Sequence, residues 1–276
     1  MSQVSGRTFV VTGANTGIGR VTAIELARRG GKVVLACRSE SKAAPVLDEI
    51  RRAGGTAEFL QLELDDLSQV RRSAEELLSR EGALHVLVNN AGLAGQRGLT
   101  KDGFELAFGV NHLGHFLFTS LLLPKLLLAD APRIVNVSSK SHYRAKGIDW
   151  EAVRRPTAST TGLPEYEVSK LANVLFTKES ARRHGGKVKS YALHPGVIAS
   201  DVWRGVPWGV RHVMKLFMRS NEDGAKTSLY CATSDDVRDH DGRYYDDERE
   251  RRPSRLAEDA TLAAELWERS VAWTRP

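Results

Sequence analysis

Tyr166 and Lys170 stand four residues apart in Tyr166-Glu-Val-Ser-Lys170. On a helix, that spacing puts both side chains on one face. A phenol normally titrates at about 10 and is a poor acid–base catalyst at neutral pH. A nearby ammonium favours the phenolate and lowers that value. Tyr166 can then give a proton to a carbonyl oxygen or take one from an alcohol. Lys170 can also donate hydrogen bonds to a ribose. Alone, a Tyr-x-x-x-Lys match is common by chance, so the pair needs company.

Company comes from three chain segments. Asn136-Val-Ser-Ser139 ends a short apolar run. A hydroxyl at the carboxyl end of a parallel strand points into a ligand crevice, so Ser139 can hold a substrate oxygen beside Tyr166. Asn89-Asn90-Ala91-Gly92 follows another such run, and His194-Pro195-Gly196 ends a third. Asn111 sits in a long helical region, where a polar side chain among apolar neighbours needs a reason.

A phosphate-binding loop is the second chemical signal. The first apolar run leads into Thr12-Gly13-Ala14-Asn15-Thr16-Gly17-Ile18-Gly19 and then a helical pattern. Glycines turn the chain sharply and bring backbone close to a pyrophosphate, which the helix N-terminus attracts. The spacing is Gly-x-x-x-Gly-x-Gly rather than Gly-x-Gly-x-x-Gly. A glycine cluster alone reads equally as a structural turn; its place between first strand and first helix favours a dinucleotide. The next run ends Ala36-Cys37-Arg38-Ser39. An acidic residue there would bind the ribose hydroxyls of NAD. An arginine instead can grip a 2′-phosphate or stack on adenine, which favours NADP(H) over a merely surface-exposed Arg38.

These residues must be positioned by alternating strands and helices. Strands are expected over 8–12, 32–37, 57–64, 84–88, 133–137 and 188–193. Helices are expected over 17–29, 41–53, 67–80, a long region ending at 128, 165–184, and a tail over 254–273 that carries Trp267 and Trp273. Val33-Val-Leu-Ala36 is apolar throughout, the mark of a strand covered on both faces. The expectation is an α/β, Rossmann-type doubly wound parallel sheet. No linker or repeat divides residues 1–276, so one domain is expected, with insertions near 140–164 and 199–220. The two tail tryptophans read as internal packing or a subunit interface.

Composition excludes several other classes. Net charge is +6, from 40 basic and 34 acidic residues. The basic residues come as scattered pairs such as Arg28-Arg29 and Arg182-Arg183, not as a tract with aromatics, so no nucleic-acid partner is expected. Two distant cysteines, Cys37 and Cys231, make neither a disulfide framework nor a metal cluster, and no metal is expected. The N-terminus has no apolar signal region, and no run reaches the roughly 18 apolar residues of a membrane span. A cytoplasmic protein, soluble or peripheral to a membrane, is the expectation.

Together and in this order, the glycine loop, Asn89–Gly92, Asn111, Ser139, Tyr166/Lys170 and Pro195-Gly196 resemble the short-chain dehydrogenase/reductase family. The resemblance covers nearly the whole chain. Val33-Val-Leu-Ala-Cys-Arg-Ser39, Asn111-His-Leu-Gly-His-Phe116, Tyr166-x-x-Ser-Lys-Leu-Ala-Asn173 and His194-Pro-Gly196 are similar to its retinol dehydrogenase branch and bacterial relatives. So is the long spacer between Ser139 and Tyr166.

The resemblance implies a role for each residue. Tyr166 is the acid–base, Lys170 its tuner and ribose anchor, Ser139 the binder of the substrate oxygen, and Asn111 the holder of a water in a proton relay. Gly13, Asn15, Thr16, Gly17, Ile18 and Gly19 line the diphosphate, and Arg38 and Ser39 the 2′-phosphate end. Asn90 lies near the adenosine ribose, Ile198 and Ser200 meet the nicotinamide carboxamide, and Ala91, Gly92, Pro195 and Gly196 complete the cofactor site. The aspartate usual after the third strand is replaced by Glu63, next to Leu64; Asp65 and Asp66 lie close by, which leaves the adenine contact open.

The implied activity is hydride transfer between NADP(H) and a carbonyl/alcohol pair. Residues 202–218 hold Trp203, Trp208, Met214, Phe217 and Met218, and match the family's substrate lid. Aromatic and methionine side chains suit a lipophilic, retinoid-like ligand; core or subunit packing is the plainer reading. Arg204, Arg211 and Lys215 in the same stretch also suit an anionic membrane surface. Family members are often dimers or tetramers, so a homo-oligomer is a further expectation. The rival is a non-catalytic NADP(H)-sensing protein. Such sensors tend to lose the tyrosine–lysine pair, which this chain keeps.

Overall fold

A computed structural model describes residues 4–196 and 220–275. Residues 197–219, with Ile198, Ser200 and the lid stretch 202–218, lie outside the described residues, as do 1–3 and 276.

Among the described residues, eight strands form one sheet: β1 (Thr8–Thr12), β2 (Lys32–Cys37), β3 (Thr56–Gln61), β4 (Val86–Asn89), β5 (Arg133–Val137), β6 (Lys189–His194), β7 (Arg243–Asp246) and β8 (Arg249–Arg251). Their spatial order is β3-β2-β1-β4-β5-β6-β7-β8. All neighbours are parallel except the β7–β8 pair. The order reverses between β1 and β4, and in a doubly wound sheet that reversal opens a crevice at the strands' carboxyl ends. The expected Rossmann-type α/β fold is the one observed.

Among the described residues, seven helices cover the two faces of the sheet: α1 (Gly17–Arg28), α2 (Glu40–Arg52), α3 (Leu67–Arg80), α4 (Leu106–Leu126), α5 (Leu163–His184), α6 (Asn221–Thr233) and α7 (Ala260–Trp273). Strands β1, β4 and β5 are buried at every residue, as expected of strands covered on both faces. Trp267 packs on Phe116 and Phe176, with ring centroids 5.1 and 5.8 Å away. Trp273 packs on Phe104 and Phe108. The tail therefore closes the chain's own core.

Several boundaries differ from expectation. Strand β3 stops at Gln61 rather than Leu64, because the chain leaves the sheet there to line the crevice. Strands β7 and β8 and helix α6 were not anticipated; Arg243-Tyr-Tyr-Asp246 and the edge strand Arg249-Glu-Arg251 are too short to signal themselves. Helix α4 is 21 residues long with a mean hydropathy of 1.4, enough by length and composition to cross a membrane. Here 72% of that span is buried against the protein, as in a core helix.

A buried polar ladder crosses the sheet. The Asn89 amide donates to Thr119 of α4 and to the Asn136 carbonyl oxygen on β5, at 3.0 and 2.8 Å. The Asn136 amide donates in turn to Thr177 of α5 at 2.9 Å. These bonds fix two strands and two helices against one another.

Candidate active site

Strand ends and helix starts converge on one cleft of about 760 Å³. Ser139, Tyr166, Lys170 and every described residue expected at the cofactor line it, from Gly13 in the first loop to Gly196 after β6. Asn111 lies just behind this wall.

At one end lies the glycine loop. Thr16 precedes α1 in extended backbone with no side-chain cap, and no acidic residue stands in the first turn. The loop leaves the helix's first N–H groups for an anion. Glycine is required at Gly19: a Cβ there would lie 2.5 Å from the Gly13 carbonyl oxygen and 2.4 Å from the Asn90 amide. Asn90 braces the loop by donating to the Thr12 carbonyl at 2.8 Å. A pyrophosphate fits this cradle.

Beyond β2, Ser39 caps α2 by accepting from the Lys42 N–H at 3.4 Å. Arg38, Ser39 and Lys42 all line the cleft. Sequence reasoning missed Lys42; its place three residues past a capping serine, on the first helical turn, was the available signal. Glu63 and Asp65 line the same end. Glu63 pairs with Lys101 at 3.3 Å, whereas Asp66 caps α3 through the Gln69 N–H at 3.0 Å. Cys37 is a buried free thiol beside the loop, pushed up to about 11 by burial.

At the other end, Tyr166 and Lys170 rise one turn apart on α5, and both are buried. The Tyr166 phenol is hydrogen-bonded to the Ser139 side chain. The Lys170 Nζ donates to the Val137 carbonyl at 2.9 Å and lies 5.5 Å from the Tyr166 ring centroid.

The electrostatics differ from the simple expectation. Burial pushes the Lys170 ammonium down to about 7. It pushes the Tyr166 phenol up; the Ser139 hydrogen bond and the charge of Arg144 act in the opposite direction. In the protein alone, the lowering expected of Lys170 thus comes from Ser139 and Arg144. The physical reason is that burial desolvates the lysine, which then keeps only part of its charge at neutral pH. Arg144 lies in the 140–164 insertion, where no periodic pattern marked it.

Asn111 sits in a π-helical turn, Gly109–Leu113, within α4. Such turns recur at functional sites. Its side chain is spoken for: Oδ1 accepts from the Leu93 N–H, and Nδ2 donates to the Leu93 carbonyl and to Ser169. A Cβ at Gly92 would lie 3.2 Å from Asn111 Oδ1 and 3.5 Å from Lys170 Nζ, which locates Asn111 and Lys170 on one side of that glycine. Two buried histidines were also missed. His115 bridges Thr12 and the Asn111 carbonyl, and His142 touches Ser139.

Comparison with known proteins decides the family. A sequence model described as short chain dehydrogenase matches residues 7–152. Retinol dehydrogenase 12 of Mus musculus is 41% identical over 276 residues, covering 96% of this chain and 85% of that protein.

The chain belongs to the short-chain dehydrogenase family.

This short-chain dehydrogenase falls beside the retinol dehydrogenase branch. Retinol dehydrogenase 11 of Homo sapiens is 42% identical over 96% of this chain and 85% of that one. Dehydrogenase/reductase SDR family member 13 of Bos taurus is 40% identical over 98% and 74%. Among solved structures, an uncharacterized protein from Mycobacterium paratuberculosis superposes with a TM-score of 0.80 at 35% identity, covering 99% of this chain and 95% of that one. A structure from Beutenbergia cavernae, titled an NAD(P) dependent gluconate 5-dehydrogenase with bound NADP, reaches 0.71 at 26% identity over 89% and 96%. The chain is thus an oxidoreductase of this family, and the cleft that holds Ser139, Tyr166 and Lys170 is its candidate active site.

Proposed function

We propose that this enzyme transfers a hydride between NADP(H) and the carbonyl/alcohol pair of a lipophilic substrate. The observation that carries the reading is one cleft with a glycine-cradled anion site at one end and the hydrogen-bonded Ser139–Tyr166 pair beside Lys170 at the other. NADP bound to a structural relative supports the cofactor. Arg38 and Lys42 at the second strand's end support the phosphorylated form.

The nicotinamide, when bound, supplies or accepts the hydride. The chain's residues do the rest. Ser139 holds the substrate oxygen, and the Tyr166 hydroxyl gives that oxygen a proton during reduction or takes it during oxidation. Lys170 donates to the ribose and, as an ammonium, offsets negative charge on the phenol. Asn111 holds the turn behind Lys170. Leu93, Leu106, Val110 and Leu163 line the cleft, which supports an apolar substrate such as a retinoid or a long aldehyde.

The test is NADPH consumption, followed by absorbance, against aldehydes and ketones from short polar to long apolar, with NADH in parallel. Turnover is expected with NADPH and all-trans-retinal or nonanal, and loss of turnover with intact NADPH binding in Tyr166→Phe. Wild-type turnover in that variant would remove Tyr166 from the chemistry. Preference for short polar carbonyls would remove the apolar-substrate reading.

A further inference from the structure

The main-chain carbonyl of Ser139 is held from an unexpected quarter. Ser139 precedes a short 3₁₀ turn, Lys140–Tyr143, and caps it by accepting from the Ser141 N–H at 3.1 Å. The carbonyl oxygen of Ser139 accepts from the His142 main chain at 3.1 Å and lies 2.6 Å from His142 Nδ1. The other ring nitrogen, Nε2, lies 3.1 Å from the main-chain nitrogen of Ser254, which is 112 residues further along the chain.

Both partners of the ring are backbone groups with a single role. A carbonyl can only accept, and an amide N–H can only donate. One state of the imidazole satisfies both: neutral, with the proton on Nδ1. The opposite tautomer would aim an Nδ1 lone pair at the carbonyl and set N–H against N–H at Ser254. An imidazolium would keep the first bond and lose the second. His142 has no exposed surface, and its ring lies against Tyr143 and Tyr244, centroids 4.1 and 4.8 Å away. Burial lowers its pKa, consistent with the neutral form. The adjacent Tyr143 hydroxyl donates to the Arg252 carbonyl at 2.5 Å, so consecutive residues tie the turn to the segment after β8.

We propose that His142 is a positioning residue for Ser139: its neutral Nδ1–H imidazole, anchored by Ser254, fixes the turn that aims the Ser139 hydroxyl at the substrate oxygen. The proposal rests on the assignment of Ser139 given above. It makes the segment after β8 a support of the active site, although none of its residues needs to touch substrate.

The experiment compares wild type, Ser139→Ala, His142→Phe and His142→Asn in NADPH-dependent reduction of all-trans-retinal, with NADPH affinity from fluorescence titration. Asparagine places an N–H close to the Nδ1 position and retains the bond to Ser139; phenylalanine keeps the ring and loses the bond. Ser139→Ala and His142→Phe are expected to lower kcat by about 10–100-fold, the scale of a misplaced catalytic group. NADPH affinity should stay within about twofold, and His142→Asn should restore much of kcat, as a ring needed only for packing would not. Wild-type kcat in His142→Phe, with Ser139→Ala impaired, overturns this proposal and leaves the Ser139 assignment standing. Wild-type kcat in Ser139→Ala overturns both. Equal impairment in His142→Asn and His142→Phe overturns the hydrogen-bond role. Should His142→Phe not fold, nitrogen NMR of the wild-type histidines decides alone: a neutral Nδ1–H ring at pH 7 is expected, and an Nε2–H or doubly protonated ring at His142 overturns the proposal.

Discussion

The Nζ of Lys170 lies 2.9 Å from the carbonyl oxygen of Val137, two residues before Ser139. The same side chain is fully buried, and its ammonium is held at about 7. Between that value and the ordinary lysine value, the unfolded chain binds a proton that the folded chain does not. Stability of the cofactor-free protein must therefore rise with pH above 7, by up to about 1.4 kcal/mol per unit from this group. Below pH 7 both states are protonated and the contribution is flat. Urea unfolding at pH 7 and 9 should show a larger gain in wild type than in Lys170→Met. Equal gains would mean that Lys170 stays charged in the fold.

Cofactor selection should depend on the end of β2. Arg38→Asp is expected to weaken NADPH binding about 10–100-fold, the scale of losing a charge-assisted bond. Lys42→Ala should weaken it less. NADH affinity should change little in either variant, because it lacks the 2′-phosphate. Parallel titrations with both nucleotides check this; equal losses for NADPH and NADH would place Arg38 on the adenine instead.

A helix glycine far from the phosphates should also matter. A Cβ on Gly114 would lie 2.5 Å from the Leu64 carbonyl oxygen, and Leu64 lines the cleft beside Glu63. Gly114→Ala should cost about 1–3 kcal/mol of stability, as overpacking does. It should also weaken NADPH while sparing kcat at saturating cofactor. Gly82→Ala, where a Cβ meets nothing within 4 Å, is the control. Thermal unfolding and NADPH titration of the two variants separate the outcomes.

Acid should destabilise the fold before carboxylates titrate. His115 and His112 are buried and pushed down to about 4 and about 3. The unfolded chain takes up these protons at about 6.5. Stability should therefore fall as pH drops from about 6.5 toward 4, by up to about 1.4 kcal/mol per unit for each ring. His115→Gln should flatten that slope by one proton in denaturant titrations at pH 6.5, 5.5 and 4.5. An unchanged slope would show that His115 is charged in the native state.

Much of this site was legible because its groups stand at strand ends and helix starts, where periodicity changes. Thr8–Thr12, Lys32–Cys37 and Arg133–Val137 have the expected bounds, since buried parallel strands carry apolar runs without polar alternation. Once these were placed, Gly19, Arg38 and Ser139 followed as crevice residues, and Tyr166 and Lys170 as one helix face. Arg144 and His142 were not legible, because they belong to a non-periodic insertion and act through contacts with residues far away in sequence. The π-helical turn at Asn111 left no signal either, since one extra residue in a helix hardly disturbs its apolar pattern.

The ladder of Asn89, Asn136, Thr119 and Thr177 bears on how this enzyme can change over generations. Each bond joins one member to the next, so a single apolar replacement strands a buried partner, at about 1–3 kcal/mol. That is a sizeable share of the stability of an ordinary domain. Divergence at these four positions should therefore proceed by paired substitutions or not at all. The surrounding apolar positions can drift one at a time, leaving this interior quartet as the slow-moving part of the sheet.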